Sequence, residues 1–166
     1  RKGADARTIV TSMVAGTMSI FDRQATELAA GMGLTIHEVL TLASIVEKET
    51  GIPEERPRIA AVFLNRLQRT MPLQADPTII YALGRRFDGN LTRAHLDLDS
   101  PYNTYLHSGL PPTPIANPGR ASIEAVLRPA DVEDLYFVAK PDRSHHFSAT
   151  LRDHERAVRR YQRRGR

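Results

Sequence analysis

Cysteine is absent, so disulfides, thiol catalysis and cysteine–zinc sites are excluded. No apolar run approaches the roughly 18 residues that a membrane span needs. No secretory leader opens the chain: Arg1-Lys2-Gly3-Ala4-Asp5 passes straight into an amphipathic pattern. That opening predicts an excised domain, with any anchor or export signal upstream. Metal-ligand spacing is missing too. His145, His146 and His154 form no HExxH-like set, and adjacent histidines on a strand point to opposite faces. No metal and no cofactor are expected. There is no GxSxG elbow, and Gly31-Met32-Gly33 is too short for a phosphate loop. What remains is acid–base chemistry by carboxylates.

The 166 residues suit one domain with a real core, 1–166. The formal charge is +4, and much of the excess lies at the end of the chain. Arg152, Arg156, Arg159, Arg160, Arg163, Arg164 and Arg166 outweigh Asp153 and Glu155 there. Such a run most often is a solvated helix end whose cations suit the C-terminal dipole; a contact with nucleic acid or anionic lipid is the less common use.

The stretch Leu42-Ala43-Ser44-Ile45-Val46-Glu47-Lys48-Glu49-Thr50-Gly51 organises the rest. Leu42, Ile45, Val46 and Glu49 sit at i, i+3, i+4 and i+7, one helix face that is apolar until it ends in a carboxylate. Gly51 is placed to close the helix. An apolar setting and a helix C-terminus both disfavour a charged Glu49, and a carboxyl kept protonated near neutral pH can act as a general acid. On spacing alone, a solvated or Arg-paired carboxylate fits the same position. Glu47 faces elsewhere and reads as an outward, salt-bridging residue.

Elsewhere the periodicity predicts helix over about Ala4–Ala30, with Ile9, Met13, Ile20, Phe21 and Leu28 inward. Thr35 and Glu38 have the form of a capping box opening the helix that carries Glu49. A third helix runs from about Glu54 to Arg69 on an Ile59, Val62, Phe63, Leu67 stripe, with Asn65 and Arg66 beside it, placed either to orient a neighbouring carboxylate or to be solvated. Asp76-Pro77 reads as N-cap and N1 of a short helix, and Gln74 before it is a candidate ligand contact. Residues 84–120 are loop-rich and carry Tyr102, Asn103, Tyr105 and Asn117. Ser122 reads as the cap of a helix to about Leu127. Leu135–Ala139 and His145–Ala149 read as a hairpin, and Arg152–Arg163 as a last helix with Ala157, Val158 and Tyr161 inward. The fold class is therefore α+β, a mostly helical single domain with a small antiparallel hairpin.

Several of these stretches, in this order, resemble one family. Ala43-Ser44-Ile45-Val46-Glu47-Lys48-Glu49-Thr50, Ala61-Val62-Phe63-Leu64-Asn65-Arg66-Leu67 and Leu73-Gln74-Ala75-Asp76-Pro77-Thr78-Ile79-Ile80-Tyr81 are similar to the endolytic murein transglycosylases, the MltG or YceG-like family. Tyr102-Asn103-Thr104-Tyr105, Gly109-Leu110-Pro111-Pro112, Ile115-Ala116-Asn117-Pro118-Gly119 and Leu135-Tyr136-Phe137-Val138-Ala139 continue the likeness, which runs from about Val39 to Tyr161. Ala75 stands where Thr is common, Thr113 where Gly is common, and Arg143-Ser144 replaces a glycine-rich turn.

The resemblance implies a lysozyme-like arrangement of the catalytic helix. It also implies a bacterial cell-envelope enzyme on the outer face of the cytoplasmic membrane. Such an enzyme cuts the MurNAc–GlcNAc β-1,4 bond of peptidoglycan strands without water and leaves 1,6-anhydroMurNAc ends. The second Glu of Glu-Lys-Glu, here Glu49, would be the acid and then the base. Gln74, Asp76, Tyr102, Asn103, Tyr105 and Asn117 are the candidate sugar contacts. An N-terminal membrane anchor and a LysM-like region are expected upstream, with cell-wall synthases as candidate partners and no nucleic acid. Two other readings stay open. One is a hydrolase in which Asp76 activates water, needing carboxylates roughly 6.5–9.5 Å apart for inversion. The other is a glycan-binding module in which Glu49 is structural.

Overall fold

The computed structural model describes Gly3 and residues 5–162. Arg163, Arg164 and Arg166, part of the predicted basic end, lie outside these residues. Among the described residues eight α-helices and one hairpin follow in order: α1 (Ala6–Met18), α2 (Arg23–Gly31), α3 (Ile36–Glu49), α4 (Arg56–Gln68), α5 (Asp76–Leu83), α6 (Arg93–Leu96), α7 (Arg120–Leu127), β1 (Tyr136–Ala139), β2 (His145–Ser148) and α8 (Leu151–Tyr161). A 3-10 turn, Pro53–Glu55, leads into α4.

α3 is the centre. Its capping box closes both ways: Glu38 N–H donates to Thr35 Oγ1 at 3.2 Å, and Thr35 N–H to Glu38 Oε2 at 2.8 Å. Val39, Leu42, Ala43, Ile45 and Val46 are wholly buried. The helix packs against α2, α4, α5 and α7, so neighbours cover it on more than one face. Each large aliphatic buried this way contributes about 1.5–3 kcal/mol before entropy is counted. The helix stops at Glu49 because Thr50 is extended (φ −135°, ψ 140°) and receives the Ile52 N–H on its hydroxyl at 3.0 Å. Gly51 is therefore not used as a left-handed cap; the buried Thr50 makes the turn instead.

The N-terminal periodicity divides into two helices, because Asp22 caps a new start by accepting from Ala25 N–H at 2.8 Å. The predicted inward face fails on α1: Ile9 is 50% and Met13 56% exposed, and the helix buries no residue. Among the described residues its apolar stripe stays largely exposed along one side of a groove, whereas Ile20, Phe21 and Leu28 pack on the core. Among the described residues no single helix is long and apolar enough to cross a membrane.

The hairpin pairs antiparallel, Tyr136 with Ser148 through Ala139 with His145. Arg143 takes the left-handed turn position at φ 69°. α8 covers the hairpin, and α4 holds its approach. Asn65 Nδ2 donates to Val132 O at 2.8 Å and Asp134 O at 3.0 Å, while Arg58 pairs with Asp134 at 2.6 Å. Asn65 and Arg66 are thus neither solvated nor aimed only at a carboxylate; they satisfy backbone carbonyls entering β1. Phe63 meets Phe137 edge to face at 5.8 Å between ring centres and completes the joint.

Asn65→Ala would strand two carbonyls and should lower stability by about 1–2 kcal/mol in chemical or thermal melting. Ile9→Ser on the unpartnered face of α1 should stay within about 0.5 kcal/mol of the parent.

Candidate active site

Glu49 ends its apolar stripe at the wall of a cavity of about 330 Å³. Its Oε2 is sealed from solvent and has no hydrogen-bond partner among the described residues. Burial raises the Glu49 pKa to about 7; the Asp76 carboxylate adds to the rise, and Arg66 opposes it. The sequence suggested an apolar setting and a helix end as causes. Burial is the larger cause, and the contribution of Asp76, which the hydrolase reading places nearby, adds to it.

Asp76 does not cap α5. The cap position is Ala75, and Asp76 and Pro77 occupy the first turn. The Asp76 carboxylate instead accepts from the Tyr105 hydroxyl. Burial first, and then that bond, push the Tyr105 phenol well above its ordinary pKa. The loop presenting Asp76 is stitched to the tyrosine segment. Gln74 N–H donates to Thr104 O at 2.9 Å, Ala75 N–H to Thr104 Oγ1 at 3.0 Å, and the Thr78 and Thr104 hydroxyls meet at 2.9 Å. Gln74 is held at φ 49°, a left-handed conformation that side chains other than glycine rarely take. Strain of that kind persists where its surroundings over-determine it, and it clusters at functional sites.

Glu49, Gln74, Asp76 and Tyr105 therefore line one cavity. The other candidates do not join them. Tyr102 lies outside the lining; it packs on Tyr81 at 4.8 Å and shares a 2.7 Å hydrogen bond with Thr113. Asn103 is wholly buried. Its Nδ2 donates to Leu96 O and Leu98 O, and its Oδ1 accepts from Tyr105 N–H, so it shapes the loop that delivers Tyr105. Asn117 lines a different, apolar groove beside α1.

Glu47 faces inward to a neighbouring segment, not outward. Its Oε2 accepts from Ser122 Oγ at 2.6 Å and Gly119 N–H at 3.1 Å. The Ser122 bond holds its carboxyl below the usual range, with burial opposing. Gly119, not Ser122, is the cap residue of α7. Ser44 Oγ likewise accepts from Ile115 N–H at 2.9 Å. α3 thus turns one face to the cavity and clamps residues 115–122 with another.

The cavity's other wall is built by Arg66 of α4, Phe137 of β1, His145 of β2 and His154 of α8; of these only Arg66 stands out in the sequence, as a residue placed to orient a carboxylate. His145 Nδ1 and Glu55 Oε2 lie 2.7 Å apart. His154 stacks on Tyr136 at 5.2 Å, and its pKa is lowered by burial and by the Arg66 charge. One signal was available. Ile59, Val62, Phe63 and Arg66 repeat the i, i+3, i+4, i+7 pattern of Leu42, Ile45, Val46 and Glu49, again ending in a charge.

The YceG-like family model matches residues 1–160. An endolytic murein transglycosylase of Bacillus subtilis is 42% identical over 153 residues, covering 92% of this chain and 42% of that protein. One from Streptococcus pneumoniae strain D39 is 40% identical over 131 residues, covering 75% and 24%. A YceG-like protein of Listeria monocytogenes, solved by crystallography, superposes with a TM-score of 0.80 at 42% identity, covering 92% of this chain and 49% of that one. The chain therefore spans less than half the length of these relatives.

The buried carboxyl predicts a pH-dependent stability difference. Between its ordinary value of 4.5 and about 7, the native state keeps a proton that the unfolded state has lost, so Glu49 destabilises progressively as pH rises through that window. Glu49→Gln should remove the penalty. The variant should melt higher than the parent above neutrality, by on the order of 3 kcal/mol. The advantage should vanish as the solution approaches the ordinary carboxyl pKa. Melting curves of the two proteins across pH measure it.

Proposed function

The chain belongs to the YceG-like family, and from that membership we propose that it is the catalytic domain of an endolytic peptidoglycan lytic transglycosylase. One arrangement carries the reading: the Glu49 carboxyl, one oxygen sealed from solvent and its pKa raised by burial to about 7, on the wall of a cavity lined by polar and apolar side chains. The names of the relatives supply the substrate class.

The chemistry needs only that one acid. Glu49 donates its proton to the glycosidic oxygen between MurNAc and GlcNAc as the C1–O bond breaks and positive charge develops at C1. The C6 hydroxyl of the same MurNAc attacks C1 and returns its proton to the Glu49 carboxylate. No water is consumed, and a 1,6-anhydro ring closes. The nucleophile is already attached to the substrate, so proximity replaces a second catalytic carboxylate. Gln74, Asp76 and Tyr105 are the sugar contacts this geometry favours. Tyr102, Asn103 and Asn117 would act from further off, through the loops they shape. The domain would work in the cell envelope, outside the cytoplasmic membrane, on glycan strands, with wall synthases as partners of the whole protein.

Asp76 in the same cavity supports a second reading, a hydrolase with Asp76 as base. Its engagement by Tyr105 favours the first. Mass analysis of fragments released from purified sacculi separates them. Anhydro ends, about 18 mass units lighter than hydrolysis products, are expected, and reducing MurNAc ends as the main product would overturn the transglycosylase reading.

Glu49→Gln should lose at least about 10²-fold in activity. Glu47→Gln, which weakens the clamp on residues 119–122, should melt lower yet keep most of its activity per folded molecule. A dead Glu47→Gln beside an active Glu49→Gln would move the acid two residues upstream.

A further inference from the structure

Among the described residues, Arg66 is the only Lys or Arg lining the cavity. It is 8% exposed. A buried guanidinium is costly unless something compensates its charge. Its hydrogen bonds go to neutral acceptors: Leu135 O at 2.7 Å, Leu73 O at 2.8 Å and Pro72 O at 3.2 Å, with Gln74 Oε1 at 3.5 Å. These bonds fix the planar group from the strand entry on one side and the 72–74 loop on the other. Among the described residues it makes no ion pair with a carboxylate.

The ionisable groups around it come from every wall of the cavity. Glu49 stands on α3, Asp76 on α5, Tyr105 on its loop, Tyr136 on β1, His145 on β2 and His154 on α8. Asp76 is engaged by Tyr105, and His145 by Glu55. Glu49, which interacts with Arg66 across the cavity, holds its proton up to about pH 7. The resting site therefore contains a fixed, buried cation that shares its cavity with Glu49 and has no carboxylate ion-pair partner among the described residues.

The geometry points to Arg66 as a positioning residue whose countercharge is created by the reaction: it stabilises the Glu49 carboxylate formed between proton donation to the glycosidic oxygen and proton return from the C6 hydroxyl. This inference rests on the proposed function. Preorganised charge aimed at charge that appears in the transition state raises kcat and leaves ground-state binding alone. No proton leaves Arg66, and no further reactant is required. A merely structural Arg66 would need its hydrogen bonds to carbonyls but not its charge.

The test uses the full chain carrying Arg66→Gln or Arg66→Lys. Two quantities are read: kcat and KM on soluble uncross-linked glycan strands, and the Glu49 midpoint from a carbon-13 NMR titration of labelled glutamate. Arg66→Gln should lose about tenfold or more in kcat with little change in KM. Because Arg66 opposes the rise in Glu49's pKa, its Glu49 midpoint should move above about 7. Arg66→Lys keeps the charge, so it should hold the midpoint and recover part of kcat.

A folded Arg66→Gln with an unmoved midpoint would overturn the inference, whatever its activity, because the charge would then not reach Glu49. If Arg66→Gln does not fold, Arg66→Lys decides: a folded protein with a raised midpoint overturns the inference, and an unmoved midpoint with recovered kcat supports it. Failure of the underlying reading looks different, since Glu49→Gln would then stay active. The NMR titration needs no substrate and reports on Arg66 in either case.

Discussion

Keeping a carboxyl neutral at the end of a buried helix is the constraint on which the cavity depends. Water must be kept from one side of Glu49 while substrate can reach the other. The wholly buried aliphatics of α3 do the first, because the same stripe that anchors the helix delivers Glu49 at its last turn. Burial raises the pKa most, the Asp76 carboxylate reinforces it, and Arg66 opposes the rise. The result sits near neutrality, where a group can both give and take a proton.

Backbone satisfaction governs the rest of the architecture. Few residues of the loop-rich middle belong to a ladder, so their N–H and C=O groups need side-chain partners. Asn103 closes the 96–105 loop, Thr104 ties it to the Gln74 loop, Asn65 and Arg66 hold the entry to β1, and Ser44 and Glu47 clamp residues 115–122. Buried polar side chains therefore cluster around the cavity because they position its walls. Such networks are rigid when fully bonded. That rigidity lets Gln74 persist at a strained φ.

The two glutamates of Glu-Lys-Glu illustrate how two residues of spacing separate roles on a helix. A shift of two positions rotates a side chain by about 200°, so Glu47 and Glu49 face nearly opposite directions. Glu47 meets a hydroxyl and a backbone N–H at the start of α7, which favour its charged form. Glu49 meets burial and another carboxylate, which favour its neutral form. Identical chemistry is tuned in opposite directions by the surfaces on either side of one helix.

The sequence by itself determined what depends on short range. Capping chemistry at Thr35, the face shared by Leu42 and Glu49, the hairpin and the separation of Glu47 from Glu49 all follow from residues within a few positions of each other. Periodicity also proposed an inward face for α1, and there it failed. An apolar stripe states that burial would be favourable, not that a partner surface is present. Only the tertiary structure decided which loops reach the cavity. Tyr105 enters it while Tyr102 and Asn103 do not, because long-range bonds through Thr104 and Thr113 orient the loop. Asp76 reads locally as a helix cap, yet a hydroxyl 29 residues away claims its carboxylate. The wall carrying Arg66 and His154 combines α4 with α8, elements far apart in the chain that each pack on β1. Local pattern sets which side chains are available on each face; the packing of distant segments sets which of them share a dielectric, and so what their charges can do.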